Sequence, residues 1–224
     1  MVGIRFKLRI GRKLDGPQFT KDMSRIQREH EGRDQRGEDG RSKADRAVAL
    51  VGLMGAGKST IGRRLANRLG MDFADADIEI ERAADHTINE IFERFGEDYF
   101  RDGERRVIAR LLDGPQLVLA TGGGAFMDPD TRALMAKKAV TIWLRVDVDI
   151  LAERCNRRDS RPLLKGVDVR ETLLSLMKVR YPVYEQADIT VDGNRGPHDL
   201  VVEKILNRLD AFGIGTKEDG TGRP

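Results

Sequence analysis

The chain has 224 residues, 39% hydrophobic and 34% charged, with a net charge of +3. This suffices for one good-sized domain under a heavily charged surface, and no stretch approaches the roughly 20 apolar residues that span a bilayer. Residues 1–46 hold 13 Lys/Arg against 8 Asp/Glu and the remainder 27 against 29, so the basic excess sits in the leader and nucleic acid is not the expected partner.

Residues 1–45 divide into a short alternating piece, Val2 to Ile10, and a polar tract with almost no large apolar residue after Ile26. Such a tract buries too little to offset its ordering entropy, so a mobile leader is expected, with a docking or oligomerisation arm as the alternative. "MVGIRFKLRIGRK" carries a charge every two or three residues and offers no secretory apolar core. The single cysteine, Cys155, cannot form an internal disulfide. A cytoplasmic monomer without membrane attachment is the expectation.

From residue 46 strands and helices alternate. "AVALVG" reads as a buried strand and "GKSTIGRRLANRLG" as a helix that Gly70 can stop. "FADAD" reads as a second strand, and "TINEIFERFG" and "RDGERRVIARLLDG" as helices. "PQLVLAT" is a third strand, "DPDTRALMAKK" a helix capped by Asp128, and "AVTIWLRV" a fourth strand. "DVDILAERCNRR" and "VRETLLSLMKVRYPVYEQA" are helical, the latter interrupted at Pro182. "DITVD" is the last strand, "PHDLVVEKILNRLDAFG" the last helix, and residues 213–224 a disordered tail. This alternation predicts an α/β fold with a parallel sheet covered on both faces, binding ligands beyond the carboxyl ends of its strands.

Gly52-Leu-Met-Gly-Ala-Gly57-Lys58-Ser59 fits the phosphate-loop spacing G-x-x-x-x-G-K-[ST], between a strand and a helix as that motif requires. Gly52, Gly55 and Gly57 let the backbone turn its amides inward, and the helix directs its N-terminal amides at the same place. Residues Gly55, Ala56, Gly57, Lys58, Ser59 and Thr60 would surround the phosphates. Lys58 adds a point charge on the β- and γ-phosphates, and Ser59 a hydroxyl for Mg²⁺. The guanine-reading Asn-Lys-x-Asp is absent, so ATP is the expected nucleotide.

Asp75 and Asp77, two apart on an extended segment, would point the same way at the end of strand two. One carboxylate could hold the water shell of Mg²⁺ and the other orient an attacking hydroxyl. Gly122-Gly123-Gly124, after the buried third strand, implies that something approaches the backbone closely.

These residues resemble the shikimate kinase family. Its pattern is a basic residue, Glu three positions on, an aliphatic four later, then two aliphatics, a small residue, any residue and three glycines. Arg101, Glu104, Ile108, Val118, Leu119, Ala120 and Gly122–Gly124 match it, and "GLMGAGKST", "DAD", "RPLL" and "RYPVYEQAD" occur in family order. The resemblance covers about residues 47–212. It implies a three-layer α/β/α fold around a five-stranded parallel sheet of order 2-3-1-4-5, with a substrate-binding region at about 77–105 and a lid at about 157–168.

The implied reaction is ATP-dependent phosphorylation of shikimate at its 3-hydroxyl, a step of aromatic amino-acid biosynthesis. By resemblance Asp77 is the base, Arg101 and Arg180 clamp the substrate carboxylate, and Gly123 gives it a backbone amide. Asp75 reaches one Mg²⁺ through water, and Arg161 swings over the phosphates from the lid. Arg154 or Arg157 packs on adenine, with Arg195 bordering its other side.

A kinase for another small hydroxy acid such as gluconate, or a protein that binds ATP without transferring it, are the competing readings. Arg63, Arg64, Arg105, Arg106 and Arg110 read as solvated helix faces. His30, His86 and His198 lack metal-ligand spacing, and Trp143 reads as core.

Overall fold

The computed structural model describes residues 46–156, 168–194 and 196–215. Its five strands are β1 (Ala47–Val51), β2 (Asp72–Asp75), β3 (Leu117–Ala120), β4 (Ala139–Arg145) and β5 (Ile189–Asp192). They form one parallel sheet in the order β2-β3-β1-β4-β5, as the resemblance implied. Every residue of β1 is buried, which for a central parallel strand means cover on both faces. The strand order reverses at β1, so the segment that follows it opens into the crevice between diverging connections.

Eight α-helices complete the three layers among the described residues: α1 (Lys58–Leu69), α2 (Ala76–Ala84), α3 (Ile88–Phe95), α4 (Glu97–Asp113), α5 (Pro129–Lys138), α6 (Val148–Asn156), α7 (Val169–Tyr184) and α8 (His198–Leu209). Gly70 ends α1 in the left-handed region, returning its N–H to Ala66 and Asn67 carbonyls. A capping box between Thr87 and Glu90 starts α3. Asp128 caps α5, with Pro129 at its first position. Gly62 lets α1 lie close on β2: a Cβ there would stand 2.6 Å from the Phe73 ring, so even alanine would force that ring to shift.

Asp188 joins the sheet's far edge. Its carboxylate accepts from the Thr141 amide at 2.8 Å and hydroxyl at 2.6 Å, while its own N–H donates back to that hydroxyl. Trp143 is core, as read from sequence. None of the helices among the described residues is long and apolar enough to cross a membrane.

Three expectations are corrected. The segment after Asp75 is helix α2 and not continued strand, because the Asp75 carboxylate accepts the Asp77 N–H and turns the chain. Helix α7 runs through Pro182 to Tyr184, the proline costing its own N–H bond two residues before the helix ends. Residues 213–215, expected to be tail, are part of the described fold: Ile214 is buried, its N–H on the Leu209 carbonyl, while residues 216–224 lie outside the described residues. The lid at 157–168, apart from Asp168, and residues 1–45 lie outside the described residues.

Candidate active site

The loop after β1 has positive φ at Gly52, Gly55 and Gly57, the backbone path its glycines were expected to allow. Helix α1 starts at Lys58 with no side chain capping it and no acid in its first turn. Its leading amides are therefore left for an external anion, which the helix dipole also favours. The Lys58 ammonium donates to the carbonyls of Gly52 at 2.8 Å and Leu53 at 3.0 Å, holding the charge over the loop.

Ser59 and Asp75 meet beside it, the Ser59 hydroxyl donating to the Asp75 carboxylate at 2.5 Å. One Asp75 oxygen thus serves Ser59 and the other caps α2. This all-oxygen pair suits a hard cation such as Mg²⁺. No cluster of three or more His, Cys, Asp or Glu among the described residues could hold a metal, so such an ion would take its remaining ligands from nucleotide and water.

Asp77 stands in the first turn of α2, in the same cleft as the phosphate loop. Burial lifts its carboxyl above the ordinary aspartate value, the Asp75 charge adds to this, and Lys58 works against it. The carboxylate is thereby a better proton acceptor than a solvated aspartate while remaining close to a cation.

The three glycines after β3 each make room for a different group. A Cβ on Gly122 would stand 2.5 Å from Glu104 Oε1 and 3.0 Å from Asp77 Oδ1; one on Gly123, 3.1 Å from Arg180 Nη1; one on Gly124, 2.5 Å from Arg101 Nη1. Consecutive peptides thus gather Asp77, Arg180 and Arg101 around one turn. Their close approach is the physical reason for three successive glycines.

Arg101 is fixed on α4 by Glu104, 2.6 Å from Nη1, and by Glu97, 3.2 Å from Nη2. Burial works against the Arg101 charge, but these carboxylates more than offset it. Glu104 is almost wholly enclosed, and burial raises its carboxyl in spite of Arg101. Its role was missed from sequence, although Arg and Glu three apart on a helix share a face and were a readable signal. Arg180, on α7, donates to the Gly123 carbonyl at 2.9 Å.

The cleft measures about 1010 Å³ and runs from the phosphate loop to an apolar wall of Phe92 and Phe100, with ring centroids 4.7 Å apart. Sequence reasoning missed that wall and also His198. His198 lines the cleft at the start of α8, its Nε2 4.0 Å from where a Gly57 Cβ would be. Burial first, then Arg64 and Arg154, lower its pKa. Arg154 lines the cleft as well, bonding the Gly55 carbonyl at 3.3 Å and the Gly193 carbonyl at 3.5 Å. Arg157, Arg161 and Arg195 lie outside the described residues. Arg64, Arg105, Arg106 and Arg110 pair with acids on the helix surfaces, as expected for solvated faces.

A family model described as shikimate kinase matches residues 54–210. The chain is 57% identical over 170 residues to the shikimate kinase of Bradyrhizobium diazoefficiens, spanning 76% of this chain and 82% of that one. It is 56% identical over 164 residues to that of Caulobacter vibrioides, spanning 73% and 82%. Among solved structures, shikimate kinase from Acinetobacter baumannii in complex with shikimate superposes with a TM-score of 0.72 at 38% identity, over 75% of this chain and 95% of that one. A gluconokinase from Sinorhizobium meliloti superposes at 0.54 with 19% identity over 76% and 94%, a likeness of fold alone.

Proposed function

Because the chain belongs to the shikimate kinase family, we propose that this cleft transfers the γ-phosphoryl group of ATP to the 3-hydroxyl of shikimate, giving shikimate 3-phosphate and ADP for aromatic amino-acid biosynthesis. The observation that carries the reading is the convergence of Asp77, Arg101 and Arg180 on one glycine turn, in the same cleft as the phosphate loop.

The amides of Gly55 to Thr60 and the Lys58 ammonium hold the triphosphate, Lys58 exchanging its loop carbonyls for phosphate oxygens. Mg²⁺, when bound, would supply positive charge that offsets the phosphates. Ser59 would ligate it directly and Asp75 through water. Arg154 packs on the adenine, with His198 on the same edge of the cleft. Arg157 and Arg195 are further candidates for that edge.

On the acceptor side, Arg101 and Arg180 grip the carboxylate through planar donor forks, and the Gly123 amide adds a donor. The apolar wall of Phe92 and Phe100 excludes water from the ring. Asp77 orients the attacking hydroxyl and takes its proton as the new P–O bond forms. Arg161, from a lid at about 157–168, stabilises charge on the transferred group. Transfer resides in residues 46–212, acting as a cytoplasmic monomer without membrane attachment; residues 1–45 are dispensable for it.

A coupled ADP-release assay with Mg-ATP and either shikimate or gluconate tests the reading. Turnover with shikimate alone is expected. Turnover with gluconate alone would transfer the site to a different hydroxy acid, and ATP binding without transfer to any acid would leave a nucleotide-binding protein.

A further inference from the structure

One backbone carbonyl beside the acceptor pocket takes two donors from the same helix. The Gly123 carbonyl accepts from Arg180 Nη1 at 2.9 Å and also from the Tyr184 hydroxyl. Arg180 and Tyr184 are four residues apart on α7 and so share a face. A carbonyl oxygen has two lone pairs, and here both are used.

Tyr184 has little freedom to leave. Its ring is fully buried, with the Trp143 ring centroid 6.0 Å away and that of Tyr181 6.3 Å away. Tyr181 is itself tied, its hydroxyl donating to the Val146 carbonyl at 3.0 Å. Trp143 extends the block beneath the phosphate loop, its Cδ1 3.6 Å from where a Gly52 Cβ would be. Burial raises the pKa of the Tyr184 hydroxyl, with Arg180 opposing, so it stays a donor at neutral pH. Arg180 has a long side chain of many rotamers, and a guanidinium awaiting a carboxylate is useful only where its fork faces the ligand.

We propose that Tyr184 is a positioning residue for the acceptor clamp: by pinning the Gly123 carbonyl from a rigid aromatic block, it fixes where the Arg180 guanidinium presents itself to the substrate carboxylate. This rests on the shikimate kinase reading for what is clamped, but not for the fastening of Arg180.

Tyr184→Phe removes the hydroxyl and keeps the ring in the core, and two readouts separate the outcomes. Side-chain NMR of the full chain, on the Arg180 Nε–Hε group without ligands, should show an ordered signal in the parent and a more mobile one in the variant. Steady-state kinetics should show the KM for shikimate rising about five- to tenfold, the size of one net hydrogen bond. The KM for ATP should stay within about twofold, since ATP is held elsewhere. An unchanged Arg180 signal would overturn the proposal whatever the kinetics. So would equal rises in both KM values with a lowered Tm, the mark of a merely structural role. If Arg180 loosens in the variant while the parent shows no turnover of shikimate, the fastening stands and the assigned substrate falls.

Discussion

The Arg101 guanidinium occupies the space that a side chain on Gly124 would need: a Cβ there would meet Nη1 at 2.5 Å and Nη2 at 2.6 Å. The same two nitrogens are paired with Glu104 and Glu97, so Arg101 cannot retreat without disturbing those ion pairs. Gly124→Ala should therefore displace the guanidinium by something near an ångström and lower kcat/KM for shikimate by roughly 10²-fold. The KM for ATP should stay unchanged. Equal damage to both substrates would mean that the turn collapses as a whole.

Removing the arginine itself should have two separable effects. Arg101→Ala should cost about 2–5 kcal/mol in kcat/KM for shikimate through loss of a charge-assisted contact. It also strands Glu104 in an enclosed site, which should lower Tm. Arg101→Ala combined with Glu104→Gln should recover part of that stability and none of the activity. Thermal melts beside steady-state kinetics check both halves; recovery of activity in the double variant would count against the clamp.

As the proposed base, Asp77 would link activity to pH. Its carboxyl is raised above the ordinary value, mainly by burial, and must be ionised to take a proton. The acid limb of kcat/KM should therefore lie above the usual aspartate range, and Asp77→Asn should abolish turnover.

Stability runs the other way. Between the unfolded and folded pKa the native state binds the extra proton, so the Asp77 contribution is fully present below the unfolded value and lost as pH rises through the folded one. Asp77→Asn should then melt higher than the parent at pH 7–8, with the advantage disappearing in acid. A lower Tm at neutral pH would show that the charge is stabilising instead.

Asp75 has one structural and one electrostatic duty, which two substitutions separate. Asp75→Asn keeps an oxygen to cap α2 but removes the charge beside Ser59. It should raise the Mg²⁺ concentration needed for half-maximal rate and leave Tm nearly unchanged. Asp75→Ala should also lose the cap, worth about 1 kcal/mol. An unaltered Mg²⁺ requirement in both would remove Asp75 from the metal site.

The sheet and the phosphate loop were legible because both are local: apolar runs punctuated by glycine, and a motif whose spacing is its mechanism. Helix α2 was not, because "DADIEIE" alternates polar and apolar residues at the period of a strand, while Asp75 capping and acids at Asp77 and Glu79 signal a helix start. Of the site, Asp77, Arg101, Arg180 and the glycines could be named from motif order. Tyr184 and His198 could not. The Tyr184 bond joins residues 61 apart, and His198 meets the phosphate loop only because α8 packs beside α1. Neither contact leaves a pattern in the neighbouring sequence.

In the proposed site, two arginines from distant helices grip a carboxylate beside the triphosphate. This grip is tested most directly by a cycle that pairs each arginine variant with shikimate and with its uncharged methyl ester, measuring kcat/KM for all combinations. The parent should strongly prefer the acid, and Arg101→Ala and Arg180→Ala should each erase most of that preference. Variants that lose activity equally toward acid and ester would show that the guanidinium groups do not meet the carboxylate.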